Sequence, residues 1–303
     1  MAVTASMVKE LREMTGAGMM DCKKILVEAD GNMDKAIELL REKGLAKAAK
    51  KAGRVAAQGL VKFAISEDGT KAAMVEVNSE TDFVAKNEEF IIFVEGLAKL
   101  ALDNEAADLE AFSALPFEGS TVKDVLTEKI AKIGENMNIR RFTRMDQTGV
   151  KYVGYLHGNG KIGVVVGLET EAPISDVSVC GKDVAMQVAS MNPKFLDESQ
   201  VDPEYLENEK KILVQQALNE GKSADIVEKM VTGRLKKELK ETCLVEQKFV
   251  KDNDLTVKQY VENTAEEIGK SIKVVSMARY EVGEGIEKKE ENFAEEVAKQ
   301  MGN

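Results

Sequence analysis

His157 is the sole histidine in a chain of 303 residues, and that scarcity bounds the available chemistry. Zinc and non-haem iron sites draw on clusters of imidazoles, and most acid–base arrangements use at least one. Cys22, Cys180 and Cys243 lie 158 and 63 residues apart, so no CxxC or CxH unit exists to clip a metal or form a redox pair. They are expected to be idle thiols of a reducing compartment. Gly158, Gly160 and Gly163 fit G-x-G-x-x-G, and Val165 extends the match to a kinase glycine loop. A dinucleotide site needs a helix after the glycines, whereas Val164-Val165-Val166 continues a strand. A kinase needs an H-R-D downstream, and no histidine follows His157. These glycines are expected to make a tight hairpin, with His157 at its start as either a surface residue or a partner contact. The adjacent carboxylates Glu88-Glu89 and Glu290-Glu291 do not face each other on a helix and read as solvated. No catalytic, cofactor or metal site is expected.

Two segments have residue types suited to contact rather than catalysis. Thr81-Asp82-Phe83-Val84-Ala85-Lys86-Asn87 joins a strand to an amphipathic helix. In one reading Thr81 or Asp82 caps the helix and Phe83 packs as a hydrophobic staple. In the other, the acid beside an aromatic enters a cleft of another protein, where the ring anchors and the carboxylate disturbs a cation site. Thr15 to Met20, TGAGMM, puts two adjacent methionines at a helix start, where both cannot easily face the core; an exposed one would be a soft contact surface.

These segments must be held by a fold, and length allows two or three domains at roughly 100 to 200 residues each. Three short helices are expected over residues 1–44. Thr4 starts the first, Asn32 caps the third, and Gly44 ends it, before a helical linker rich in Ala and Lys from Ala46 to Gly59. The pattern then changes to period two. Leu60–Ile65 and Ala72–Asn78 flank Glu67-Asp68-Gly69, and Tyr152–Leu156 and Ile162–Leu168 flank His157-Gly158-Asn159-Gly160, giving two hairpins. Shifted by 89 positions, Gly69, Val75, Val77 and Glu80-Thr81 fall on Gly158, Val164, Val166 and Glu169-Thr170. Helices are expected after each hairpin, over Glu88–Leu102 and about Gly181–Met191. Closing strands after Ile133-Gly134 and Ile268-Gly269 are offset by 135, which implies an insertion of about 46 residues in the second copy. Asp202-Pro203 and Ser223 would start its two antiparallel helices.

The fold class is therefore α+β: an N-terminal three-helix module, then two antiparallel-sheet-plus-helix subdomains, the second carrying a helical hairpin. Boundaries are expected at 1–53, 54–145, 146–282 with the hairpin about 195–241, and 283–303. The net charge of −11 disfavours direct nucleic-acid binding, although residues 1–60 hold 11 Lys or Arg against 8 Asp or Glu, net +3, which keeps an RNA-binding accessory role open. No run of 18 apolar residues suggests a membrane span, and no apolar, cleavable N-terminus suggests secretion, so a cytoplasmic location is expected.

Thr15-Gly-Ala-Gly-Met-Met-Asp-Cys-Lys-Lys24, Thr81-Asp-Phe-Val-Ala-Lys86, Ile133-Gly-Glu-Asn-Met-Asn-Ile-Arg-Arg141 and Tyr280-Glu-Val-Gly-Glu-Gly-Ile-Glu287 resemble bacterial translation elongation factor Ts, over essentially the whole chain. The resemblance implies a guanine nucleotide exchange factor, with elongation factor Tu as partner and no cofactor. It implies that the N-terminal module is similar to ubiquitin-associated domains and that residues 283–303 form a C-terminal helical module. It further implies that Thr81, Asp82, Phe83 and Val84 intrude beside the partner's magnesium site. Arg12, Met19, Met20 and Lys23 would touch the same G domain, and His157 and Gly158 another domain. Gln247, Phe249 and Val250 resemble a further contact segment, with Lys251 and Asp252 departing from the family's pattern. The hairpin dimerises some relatives, which leaves a homodimer open here.

Overall fold

The computed structural model describes residues 3–15, 17–221 and 224–287. At the N-terminus, α1 (Ala5–Thr15) starts where the Met7 amide donates to Thr4 Oγ1 at 3.3 Å, and α2 (Met19–Glu28) follows. Asn32 caps α3 (Met33–Ala49) by accepting from the Lys35 amide at 3.0 Å. Val8, Leu11, Cys22, Ile25, Leu26, Ala29 and Ala36 form their common core.

Gly44 does not end α3, and no separate linker helix follows. The helix passes through Gly44 and continues along the alanine-rich run, because alanine is the strongest helix former. The missing side chain at Gly44 faces Ala131 of a later helix, so the glycine serves a helix contact instead of a C-cap.

The first half then runs β1 (Gln58–Ile65), β2 (Ala72–Ser79), the one-turn α4 (Asp82–Ala85), α5 (Glu88–Asp103) and α6 (Leu109–Ser113). It continues with the short pair β3 (Pro116–Phe117) and β4 (Ser120–Thr121), α7 (Val122–Ile133) and β5 (Met137–Met145). The second half repeats the plan with β6 (Val150–His157), β7 (Ile162–Glu169) and α8 (Ile174–Met191). After the arm helices α9 (Pro203–Asn219) and α10 (Ala224–Thr242) come β8 (Lys248–Phe249), β9 (Asp252–Thr256), α11 (Val257–Ile268) and β10 (Lys273–Glu281). In each half the closing strand pairs antiparallel with the second hairpin strand, giving the orders β1-β2-β5 and β10-β7-β6. Thr121 and Thr256, 135 apart, both cap the preceding-to-last element, and Gly134 and Gly269 both end it in the left-handed conformation.

The two sheets lie face to face with helices on their outer sides, making four layers. Ala73, Val75 and Val77 of β2 pack outward with Phe90, Val94 and Leu97 of α5. Their neighbours Ala72 and Met74 join Val61, Val150, Tyr152 and Val165 between the sheets. On β7, Val164, Val166 and Leu168 likewise face α8 and α11. Strand alternation is thus split between two cores, and every residue of β2 is buried.

The last glycine of the motif, Gly163, is explained by this packing, as is Gly154 outside it. An added Cβ at Gly163 would lie 2.3 Å from Val61 Cγ1, and one at Gly154 2.4 Å from the Phe63 ring, so both glycines let the sheets approach. Each turn is also held by the opposite hairpin: the Val61 amide donates to Gly160 O at 2.8 Å, and the Tyr152 amide to Gly69 O at 2.7 Å.

Helix α8 begins seven residues before the expected start at Gly181, because Val177 and Cys180 extend its buried stripe; Gly181 lies within it against Val153. The expected cap Ser223 and residues 288–303 of the C-terminal module fall outside the described residues.

Candidate functional site

The chain leaves β2 at Ser79 and turns into α4, whose root is apolar. Val84 and Ala85 are buried with Leu60 in the outer core of the first half. Successive helical residues point about 100° apart, so burying Val84 turns Phe83 outward. Phe83 is 80% exposed. Leaving such a ring in water forgoes roughly 1.5–3 kcal/mol of burial. The staple reading of Phe83 is overturned, and Val84 acts as an internal anchor of the segment instead of presenting its own surface.

Thr81 caps α4, its Oγ1 accepting from the Val84 amide at 3.4 Å. Its own amide and hydroxyl both donate to the Glu135 carboxylate, at 3.0 and 2.6 Å. Ser79 Oγ donates to Thr81 O at 2.9 Å. Beside the ring, Lys86 Nζ donates to Asp82 at 2.6 Å and sits 6.0 Å from the Phe83 centroid. That hydrogen bond, with the charges of Lys86 and Lys161, holds the Asp82 carboxyl below the usual carboxylate range. The exposed tip therefore presents one ring and a carboxylate paired with the exposed Lys86 ammonium.

His157 and Gly158 are exposed on the β6–β7 turn, where His157 Nδ1 lies 3.1 Å from the Tyr155 hydroxyl. Lys161 in the same turn donates to Gln58 Oε1 at 2.6 Å, and Gln58 pairs with Ser79 at the foot of α4. The fold thus brings the Thr81–Val84 and His157–Gly158 segments, 76 positions apart, to one edge of the sandwich.

On the N-terminal helices, both methionines of the pair are exposed, Met19 by 58% and Met20 by 63%, and Arg12, Met14 and Lys23 are exposed with them. The contact group near residue 250 needs correction. Phe249 is 2% exposed and stacks on Tyr260 with centroids 4.2 Å apart, so its ring belongs to the second half's core. Gln247 is buried too, accepting at Oε1 from Gln187 Nε2 at 3.0 Å. Val250 alone of that group reaches solvent, its amide donating to Gln187 Oε1 at 2.8 Å.

Glu135, which grips the base of the exposed tip, stands in the sequence only as one residue of the Ile133–Arg141 motif. It lies 54 positions from Thr81, and no local spacing signals the contact.

The thiols are withdrawn from solvent. All three cysteines are buried; burial raises each thiol, Cys180 to about 11. Among the described residues, no group of three or more His, Cys, Asp or Glu could hold a metal ion, and no helix is long and apolar enough to cross a membrane.

A family model described as Elongation factor TS matches residues 80–284. Among similar relatives, a protein named elongation factor Ts from Clostridioides difficile (strain 630) is 61% identical over 300 residues, covering 99% of each chain. Proteins of the same name from Clostridium novyi (strain NT) and Clostridium perfringens (strain SM101 / Type A) are 55% and 54% identical, again over 99% of each chain.

Proposed function

The chain belongs to the elongation factor Ts family, a family of translation elongation factors, and from this we propose that it is a guanine nucleotide exchange factor for elongation factor Tu, working through its exposed Asp82–Phe83 tip. The observation that carries the reading is the isolated, outward Phe83 ring on a turn whose next two residues are buried. An apolar group kept in water at a fixed position has its driving force available for a partner.

In this mechanism Phe83 anchors in a cleft of the partner's G domain, and the Asp82 carboxylate displaces the local geometry around its magnesium. Thr81 holds the tip's orientation and Val84 its root. Arg12, Met19, Met20 and Lys23 dock the N-terminal module on the same domain, while His157, Gly158 and Val250 meet the rest of the partner. Exchange then follows from linkage, without covalent chemistry. If the factor favours a partner state with weakened magnesium and phosphate contacts, it must weaken GDP by the same factor by which GDP weakens it. Such a protein acts where translation occurs, in the cytoplasm, and itself holds neither nucleotide nor membrane.

The test is release of a fluorescent GDP analogue from elongation factor Tu. The unaltered chain is expected to accelerate it, and Phe83→Ala to slow the accelerated rate by roughly tenfold or more, the equivalent of losing one buried ring at the interface. The thermal midpoint of Phe83→Ala should match that of the parent, because the ring is out of the core. No acceleration by the unaltered chain at stoichiometric concentration would defeat the reading.

A further inference from the structure

We propose that the Gly134–Asn136 turn is a positioning element for exchange, in which Glu135 sets the attitude of the Asp82–Phe83 tip while its neighbours tie the tip to the connection from the N-terminal helices. The proposal rests on the exchange reading above and deepens it.

Three successive residues of this turn each reach a segment that matters for docking. Helix α7 ends at Gly134 in the left-handed conformation, at φ 90°, and this exposes its carbonyl to Lys51 Nζ on the connection from α3. Asn136 is buried and donates to both segments. Its amide donates to Glu80 Oε1, and its Nδ2 donates to Arg54 O at 2.7 Å. Arg54 closes the loop with an ion pair to Glu80 at 3.5 Å. The residues leading out of the N-terminal module, 51–54, and those leading into the tip, 80–81, are therefore fastened to one turn.

Glu135 between them uses both carboxylate oxygens on Thr81. A threonine hydroxyl has one hydrogen to give. Because Thr81 gives it to Glu135, the oxygen lone pair is left facing the Val84 amide, the contact that starts α4. The line of contacts runs Glu135 to Thr81 to Val84, and Asp82 and Phe83 lie inside it. Hydrogen bonds to an ionised acceptor are stronger than neutral ones, so the carboxylate is well suited to holding an otherwise exposed single turn. A tip ordered before contact also loses less freedom on docking. Glu135 touches no partner atom in this scheme and acts through Thr81 as a positioning residue.

The experiment compares the full chain with Glu135→Ala, Glu135→Gln and Thr81→Ala. Amide hydrogen exchange of the free proteins reads the clamp without a partner. Glu135→Ala is expected to speed exchange at the Thr81 and Val84 amides by roughly tenfold while Val75 and Val77 of β2 stay unchanged. In release of fluorescent GDP from elongation factor Tu, the same variant should lower the maximal accelerated rate by roughly tenfold while leaving the half-saturating concentration within about twofold, since the docking residues are untouched. Glu135→Gln, which retains one good acceptor, should fall between. Thr81→Ala combined with Glu135→Ala should cost less than the two separate losses multiplied together. Unchanged Thr81 and Val84 exchange would overturn the clamp. An unchanged maximal rate, or a loss wholly in half-saturation, would overturn its role in exchange. Failure of the unaltered chain to accelerate release would instead overturn the exchange reading on which that role depends, and the amide arm would still decide the clamp.

Discussion

Glu76 has no exposed surface, yet two arginines and two further donors converge on it. Burial by itself would raise its carboxyl. Donation from the Gly283 amide at 2.9 Å, Asn78 Nδ2 at 3.1 Å, Arg140 at 3.1 Å and Arg141 at 2.6 Å reverses that effect and leaves the group below the ordinary glutamate range. A depressed folded-state pKa contributes stability that is present above the unfolded value, about 4.3, and is lost as pH falls through the folded one. Glu76→Gln is therefore expected to cost roughly 2 kcal/mol near neutral pH, with the deficit shrinking as the parent's carboxylate protonates in acid. Urea unfolding of both proteins across that range checks it, and a gap independent of pH would refute the ionised assignment. None of this was legible in the sequence, where Glu76 sits on the strand face opposite Val75 and Val77. Asn78 is two positions away on the same face, but the other three partners lie 64, 65 and 207 positions away. The same limit applies to Phe83 and Phe249: each follows a polar residue, and only the position of Val84 or of Tyr260 decides which ring is left out.

Hairpins, their turns and the closing strands were readable because period two and left-handed glycines are local properties. So was the repeat of elements, once two offsets were compared. Gly44 misleads because a glycine at a helix contact and a glycine at a helix end look alike until α7 is in place. Gly163 shows the converse: its motif invited a phosphate-site reading, and strand context alone sufficed to reject it, but the reason for the glycine came from the second sheet. Gly163→Ala would set a methyl carbon 2.3 Å from Val61 Cγ1, in the middle of the inter-sheet contact. Overpacking of this kind is expected to cost about 1–3 kcal/mol, read as a lower urea midpoint. A variant as stable as the parent would mean that the sheets separate easily.

At the scale of the molecule, the four-layer body and the α9–α10 arm have separate cores. The arm is held together by Ala217, Val227 and Val231 with Leu213 and Val214, and Tyr205 donates across it to Glu238 at 3.0 Å. Its feet are fixed to the body where the Lys194 and Phe195 amides donate to Thr242 O. Replacing residues 203–241 by a short Gly/Ser linker is thus expected to leave the body's thermal midpoint within about 5 °C, because loop closure changes little with length. A collapse in the melt of the shortened chain would show that arm and body share a core. The arm's place was legible from the difference between two offsets. The docking of α3 along α7, with Arg41 3.8 Å from Glu128, was not, since nothing in either helix names the other.

The two halves also differ in one telling way. Thr170 stands where Thr81 does, and its Oγ1 likewise accepts a nearby amide, from Ala172 at 3.1 Å, but Ala172 at the position of Phe83 is buried. Repeated units within a single chain allow a division of labour under selection. One copy of the loop can stay committed to holding the body together, while its twin is free to drift outward and acquire a new surface with little risk to the ancestral architecture.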